Sequence, residues 1–325
     1  MINDENLLSS QFPELFHYTN MAAFENIYKE QKFWATHYKD LNDRSEIERF
    51  RLKVFEFIQP IIRELIVKRM LSNAQGVMEV NRHGGIDALV DKEAATLLDV
   101  FHHSTFGARE LEPFVCAFCF HGAQSYESKH GLLSQWRGYG ADGGVAIVLD
   151  TLGIESRMRH EKDIFAHALN HIGDVIYDND DDRIRKNFSK VFEYFEHIEN
   201  EICTAACSTD PDPEVFYHFV FGSTLVKHHG FREENEIRIV VSPRTPKDSL
   251  FYNPEHASKP SKLVRYTQRG NREVRYIELF GDAPLPIKRV IVGPSRVQNT
   301  NFQKITEQVK DVGIEVVKSE IPFLG

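Results

Sequence analysis

The residues best suited to chemistry lie in one stretch, Glu234-Asn-Glu236. From Glu234 to Val241 charged and apolar residues alternate, which predicts a half-buried strand because successive side chains leave opposite faces. Two carboxylates then share the polar face, about 6.5–7 Å apart along the strand, although glutamate is depleted in strands. Two interpretations stay open. Either this is an exposed edge with an ion pair between Arg238 and Glu236, or Glu234 and Glu236 are a catalytic pair in a cleft.

A second candidate position is the end of a short strand predicted over 15–19, which closes on His17, Tyr18 and Thr19. A strand end is where a cleft collects polar groups, so these residues are candidate ligand contacts. The alternative for His17 is a core histidine whose ring bonds to a backbone carbonyl.

A third candidate is the segment 134–144, in which four glycines would let the backbone approach a ligand closely. Trp or Tyr at the entry of a strand could also stack on a flat ring. The alternative is a glycine-rich hairpin with an aromatic packing plug. The residues of this segment that could recognise a ligand are Ser134, Gln135, Trp136, Arg137 and Tyr139.

These positions must be held by a mixture of helices and strands without regular alternation, which favours an α+β fold over a doubly wound sheet. We expect one domain, 1–325, with helical insertions at about 50–110 and 180–230. Helical spacing of apolar residues predicts helices over 46–71, 85–102, 182–205 and 213–227. Helical and loop material is expected up to residue 173, followed by a strand over 174–177.

Composition restricts the class of partner. A net charge of -9 argues against a protein that lives on nucleic-acid backbone. Six cations form a local exception, either a solvated hairpin or a phosphate-facing patch: Lys259, Lys262, Arg265, Arg269, Arg272 and Arg275. No 18-residue apolar run is present and the N-terminus lacks signal-peptide features, so we expect no membrane partner. Four cysteines in 325 residues fit a reducing, cytoplasmic setting.

Metal motifs are weak. Cys116 and Cys119 fall in a predicted strand at odd spacing, so their thiols should face opposite sides, and Cys203 and Cys207 form the other pair. The pairs His102-His103 and His228-His229 are expected to be helical neighbours, which do not converge on one ion. An acidic turn over 178–182 lacks the spaced ligands of a calcium loop. We therefore predict no metal.

The ordered set of motifs resembles the uncharacterised bacterial domain-of-unknown-function family 2971, over almost the whole chain. Two positions depart from that pattern: Phe120-His121 stands where Phe-Ser is usual, and Phe231 where Trp is common. The resemblance is carried by Phe16-His17-Tyr18-Thr19, Phe33-Trp34-Ala35-Thr36, Leu41-Asn42-Asp43 with Glu46, Trp136 with Tyr139, Gly144-Val-Ala-Ile147, Lys227 with Glu234-x-Glu236-x-Arg238, and Ile291-Val-Gly-Pro294.

More weakly, the order of these elements resembles the ADP-ribosyltransferase superfamily. That resemblance implies a mixed or antiparallel split sheet, NAD as substrate, and Glu236 as the catalytic carboxylate that stabilises an oxocarbenium-like transition state. Glu234 would orient the acceptor. The implied NAD-binding residues are His17, Tyr18, Thr19, Ser134, Trp136, Arg137, Tyr139, Lys227 and Arg238, with Trp136 or Tyr139 stacking on nicotinamide.

The leading hypothesis is thus an NAD-dependent ADP-ribosyltransferase-like enzyme, in a bacterial defence or toxin setting. It would transfer to an unknown protein or nucleic-acid acceptor, or hydrolyse NAD. One alternative is a non-enzymatic module that senses nucleotide or nucleic acid, using His17, Arg137, Lys227 and the basic 259–275 segment. The other is a metal-dependent nuclease built on Asp150, Glu234 and Glu236.

Overall fold

A computed structural model describes residues 8–41, 46–107, 111–140, 143–197, 213–243, 254 and 257–322. Its strands are β1 (Glu14–Thr19), β2 (Lys32–His37), β3 (Phe114–Cys119), β4 (Val145–Asp150), β5 (His167–Asp174), β6 (Ile176–Tyr177), β7 (Val226–Lys227), β8 (Glu236–Pro243), β9 (Arg265–Arg269), β10 (Arg272–Phe280), β11 (Ile287–Val292) and β12 (Glu315–Lys318). Its helices are α1 (Met21–Glu30), α2 (Glu46–Ser72), α3 (Ala74–Arg82), α4 (Ile86–Phe106), α5 (Tyr126–His130), α6 (Leu133–Tyr139), α7 (Thr151–Ile164), α8 (Asp181–Asn187), α9 (Ser189–Glu196), α10 (Pro213–Leu225) and α11 (Gln298–Val309).

In the described part of the chain the main sheet has ten strands, and β3 lies at its centre. One edge of β3 pairs along its whole length with β8, which pairs in turn with β5. The other edge is shared, because β1 meets β3 at Phe16↔Cys119 while β2 meets it at Thr36↔Val115. β1 then continues to β4, β11 and β12, and β2 continues to β10 and β9. We call this divergence of β1 from β2 the fork.

The pairing β11–β12 is parallel and the other pairings of this sheet are antiparallel. The prediction of an α+β fold on a mixed sheet is therefore confirmed.

The two faces of the sheet follow from register, because paired residues share a face and chain neighbours do not. Glu236 pairs with Cys119, which pairs with Phe16, so these three lie on what we call the Glu236 face. His17 is the chain neighbour of Phe16 and lies on the opposite, His17 face. Cys116 and Cys119 are buried free thiols in clusters on opposite faces, as predicted.

The His17 face is covered by α1, α7 and α11 through residues such as Phe24, Ile154 and Ile305. Among the described residues, helices cover the Glu236 face at two ends. At one end α2, α4, α9 and α10 pack on Leu169 and Val240. At the other, α6 packs on β1. Between these ends Ala117 is the exposed residue of β3, so the described part of the chain leaves the middle of the Glu236 face open near the fork.

The region 50–110 contains α2–α4, and the region 180–230 contains α8–α10 together with the short strand β7. Part of the helix predicted over 182–205 lies outside the described residues. The prediction for 134–144 was wrong in kind, because α6 occupies its first half instead of a hairpin or strand entry. β5 was missed: it is an edge strand with partly buried residues on both faces, so its sequence does not alternate cleanly.

Candidate functional site

β8 begins at Glu236, not at Glu234 as the alternation predicted. Residues His229–Glu234 form a 3-10 helix that ends at Asn235, whose φ of 42° lies in the left-handed region. Asparagine tolerates that region better than most residues. This reversal takes Glu234 off the strand. The two carboxylates still converge, because each accepts a hydrogen bond of 2.8 Å from Lys227 Nζ.

Arg238 completes the group. Its Nε donates to Glu236 Oε1 at 2.7 Å and its Nη2 to Oε2 at 3.0 Å, while Nη1 donates to the Thr224 carbonyl at 2.7 Å. We call Lys227, Glu234, Glu236 and Arg238 the Glu236 cluster. The expected ion pair between Arg238 and Glu236 is present, but it is not on an exposed edge: their side chains are 3% and 6% exposed, on a strand paired at both sides.

Lys227 and Glu236 hold each other in their ionised forms, and Arg238 acts with Lys227 on Glu236. Burial by itself raises the pKa of Glu236, but Arg238 and Lys227 outweigh burial and hold that pKa below its ordinary value. Burial likewise lowers the pKa of Lys227, and Glu236 with Glu234 reverses this, so its pKa is raised. Lys227 is thus a fixed cation and not a base. Glu236 is a carboxylate fixed in one orientation.

Tyr177 and Cys119 border the cluster. The Tyr177 hydroxyl oxygen accepts from the Glu236 backbone N–H at 3.4 Å, and burial raises the pKa of Tyr177 to about 12. Burial, with the carboxylates of Glu236 and Glu234, raises the pKa of the Cys119 thiol. Both groups are therefore neutral, and neither is a nucleophile at neutral pH.

His17 does not meet Glu236. Its Nδ1 lies 3.1 Å from the Ala117 carbonyl oxygen, and its ring packs against Phe33 and Phe118, with centroids 5.0 and 5.7 Å away. Burial lowers the pKa of His17, so the ring is neutral. His17 fills the fork from the opposite face, the arrangement expected of a core histidine. Thr19 lies partly buried on that same face.

Tyr18 and Trp136 lie together on the Glu236 face as packing residues. The Tyr18 hydroxyl accepts from the Leu132 N–H at 2.9 Å and lies 2.7 Å from His121 Nε2. Trp136 is 1% exposed, packs edge-on to Tyr18 at 4.9 Å, and donates from Nε1 to the His130 carbonyl at 3.0 Å. A ring enclosed in this way offers no free surface to a ligand.

Glycines around α6 leave room for the Trp136 ring and for the backbone of β1. A Cβ at Gly131 or Gly140 would lie 2.5 or 2.8 Å from the Trp136 ring, and one at Gly144 would lie 2.4 Å from the Thr19 carbonyl oxygen. The close approach expected from these glycines is thus made within the protein.

The remaining predicted contacts of α6 differ in exposure. Arg137 and Tyr139 are exposed on α6, and Ser134 Oγ is buried without a hydrogen-bond partner.

Sequence reasoning missed Trp34 on β2. It shares the Glu236 face with Thr36, is 43% exposed, and stacks on Tyr276 with ring centroids 4.1 Å apart. The alternation of side chains along β2 could have indicated it. Phe33 and Ala35 are buried on the other face, so the Trp34 ring between them must point away from that core.

The basic 259–275 segment is divided: Arg265, Arg269 and Arg272 are exposed on β9 and β10, and the other three cations bind groups of the protein. Lys262 donates to Glu161 at 2.8 Å, Lys259 to the Lys162 carbonyl at 2.6 Å, and Arg275 pairs with Asp40 at 2.9 Å. These partners reduce the charge available to phosphate.

The nuclease arrangement is not formed either. Asp150 caps α7 by accepting from the Gly153 N–H at 2.8 Å. Its strand, β4, lies three strands from β8, or roughly 14 Å at the usual spacing of about 4.8 Å.

Among the described residues, no helix is long and apolar enough to cross a bilayer. Cys203 and Cys207 lie outside those residues. Comparison with known proteins gives no match to a curated protein and none to a solved structure. It gives one match to a family model, over a range that begins within α6 and includes β4, β5 and the Glu236 cluster. Residues 135–239 of this chain match the family described as Protein of unknown function (DUF2971).

Proposed function

We propose that this protein is an enzyme that consumes NAD by glycosyl transfer, in the manner of an ADP-ribosyltransferase, with Glu236 as its central carboxylate. The observation that carries the proposal is the buried Glu236 cluster beside the open middle of the sheet. The ligand would lie on the Glu236 face. His17 would pack within the fork. It would not contact the ligand, because its ring lies on the opposite face.

The energetics of the cluster favour a functional reason for keeping it. Burying charges costs several kcal/mol per ion, and a well-packed apolar replacement is often as stable or more so. Fixed, ionised groups with displaced pKa values are typical of functional sites. The cluster has two carboxylates and two cations, so it carries no net charge. Glu236 would therefore act by holding a ribose hydroxyl in place more than by supplying an unscreened negative charge.

The opening beside the cluster suits a nucleotide. Ala117 leaves space over β3, and Trp34 has one ring face on Tyr276 and is otherwise largely exposed. Aromatic side chains in such positions stack on flat rings, with about 1–3 kcal/mol gained per base. Trp34 thus replaces Trp136 as the proposed stacking residue.

In the proposed reaction the bond between nicotinamide and the ribose anomeric carbon breaks, and nicotinamide leaves with the electron pair. The anomeric carbon then bonds to an oxygen or nitrogen of the acceptor, which loses a proton. With water as the acceptor the products are ADP-ribose, nicotinamide and a proton. Glu234, whose side chain is 17% exposed, is the carboxylate closer to solvent and would orient the acceptor.

Nicotinamide release from NAD tests the proposal, with wild type compared with Glu236→Gln and Glu234→Gln. We expect release by wild type and a loss of about 10²-fold or more in Glu236→Gln, as for other preorganised polar groups in active sites. Glu234→Gln lies at the edge of the cluster and keeps the test meaningful if Glu236→Gln unfolds. Glu14→Gln, a carboxylate in a separate ion cluster on the same face, is the matched control and should keep the wild-type rate.

No nicotinamide release by wild type, together with no protection by NAD against thermal unfolding, would overturn the proposal. Protection without release would replace the enzyme with a nucleotide-binding module.

A further inference from the structure

Asp178, His228 and His229 lie together beside the Glu236 cluster. Strands β6 and β7 pair in parallel through Tyr177↔Lys227, so the residues that follow them leave adjacent strand ends. One possible ligand atom from each of the three lies within 4.8 Å of the others, and among the residues that the structure describes this is the one such trio of His, Cys, Asp or Glu.

The two histidines converge because they are not on a regular helix, contrary to the sequence-based expectation. His228 has extended backbone, with φ -62° and ψ 134°, and caps the 3-10 helix that begins at His229. Their rings stack with centroids 4.3 Å apart and planes 29° apart. The rule that helical neighbours diverge does not apply to this junction.

Asp178 is already turned towards this pair. Its Oδ1 accepts from the His229 backbone N–H at 2.9 Å and lies 2.8 Å from His229 Nδ1. Arg49 lies 3.8 Å from the other carboxylate oxygen, Oδ2. Oδ1 is therefore the oxygen that faces the histidines.

We propose that Asp178, His228 and His229 bind a divalent transition metal ion of the zinc type. Two imidazoles and one carboxylate are the donors that zinc takes in proteins, and three protein ligands leave a position for water. Bonds of about 2.0–2.2 Å to a tetrahedral ion put ligand atoms roughly 3.3–3.6 Å apart. Binding would therefore widen the 2.8 Å separation of His229 Nδ1 from Asp178 Oδ1 by about 0.5 Å and close separations near the 4.8 Å limit by about 1 Å.

Metal binding would join two loops. The ion would take the place of the proton between His229 Nδ1 and Asp178, and the neutral ring would then carry its proton on Nε2. It would fasten the turn after β6 to the 3-10 helix, which carries Glu234 and also Phe231, whose ring lies 4.6 Å from Lys227 Nζ. The inference does not depend on the proposed enzyme activity, because binding and stability report on it directly.

Zinc binding to chelator-stripped full-length protein is the test, measured by equilibrium dialysis with elemental analysis and by thermal unfolding with and without ZnCl₂. We expect one equivalent in wild type and a higher melting temperature with zinc. His229→Ala and Asp178→Asn should each weaken zinc binding by at least about tenfold. Losing a residue that only supports a metal ligand typically has an effect of that size, so losing a ligand itself should have no smaller effect.

The matched control is His160→Ala. His160 Nε2 lies 2.8 Å from Asp282 Oδ2, so it forms a His–Asp pair of the same kind but outside the trio. This variant should bind zinc as wild type does. Each variant is first shown to melt like wild type in chelator. Absence of stoichiometric zinc in wild type, or equal affinity in wild type and His229→Ala, would overturn the inference.

Discussion

Glu236 and Glu14 each pair with one lysine and one arginine on the same face of the sheet, but in different surroundings. Glu236 lies with Lys227 and Arg238, and the three side chains are 6%, 9% and 3% exposed. Glu14 lies with Lys288 and Arg289, which are 46% and 20% exposed, at the rim of a cavity of about 660 Å³. Both clusters join a carboxylate to a lysine and an arginine; they differ in burial and in the second carboxylate, Glu234, that Lys227 also binds.

The difference teaches what an ion pair does for a fold. Around Glu14 water screens the charges, and pairs of that kind contribute about 0–1 kcal/mol. Around Glu236 little water is present, so each charge depends on its partners, and losing one partner leaves the other charge buried and unpaired. The Glu236 cluster is thus sensitive to any change of one member, while the Glu14 cluster is not.

The largest effect is expected when one cation is removed from each cluster. Arg238→Met leaves Glu236 Oε1 and the Thr224 carbonyl without their partner, and should lower the free energy of unfolding by about 3–5 kcal/mol. Arg289→Met should lower it by about 1 kcal/mol or less. Urea unfolding measures both. Equal losses would show that burial does not distinguish the clusters.

A smaller effect is expected in the pH dependence of stability. The pKa of Glu236 is lower in the folded protein than its ordinary value, so its stabilisation is present above that ordinary value and lost as pH falls through the folded-state pKa. Unfolding free energies between pH 7 and pH 3 should therefore fall less steeply in Glu236→Gln than in wild type. The pKa of Glu14 is also lowered in the folded protein. Glu14→Gln should nevertheless change the slope less, because solvent screens the Glu14 carboxylate. A slope in Glu236→Gln identical to wild type would contradict the ionised buried carboxylate.

The smallest change in stability is expected when the whole centre of the buried cluster becomes apolar. Lys227→Met, Glu236→Leu and Arg238→Met together remove the three most buried charges and leave only the Thr224 carbonyl and Glu234, whose side chain is 17% exposed, without their partners, so stability should fall less than in Arg238→Met alone. Nicotinamide release should nevertheless be lost. A stable triple variant that still released nicotinamide would separate the cluster from the proposed function. A collapse in stability would show that the cluster is needed for the fold.

Much of the fold was predictable because local patterns carry it. Helical spacing predicted α2 and α4. Apolar runs predicted β3 and β4, because almost every residue of these two strands is buried. Prediction failed where local patterns were weak or misleading. β5 is an edge strand of mixed exposure, and α6 is followed by Gly140, which accommodates Trp136 and had been attributed to a ligand.

The sequence by itself determined that Glu236 and Arg238 share one side of a strand and that Ile237 and Ile239 face a core, because the period of a strand is local. Only the tertiary structure decided that this polar side is buried, that Lys227 joins Glu234 to Glu236, and that His17 lies on the opposite face. Those facts depend on which strands become neighbours and on a single left-handed residue, Asn235. The convergence of Asp178 with His228 and His229 has the same origin, since it arises from the pairing of two short strands far apart in the chain.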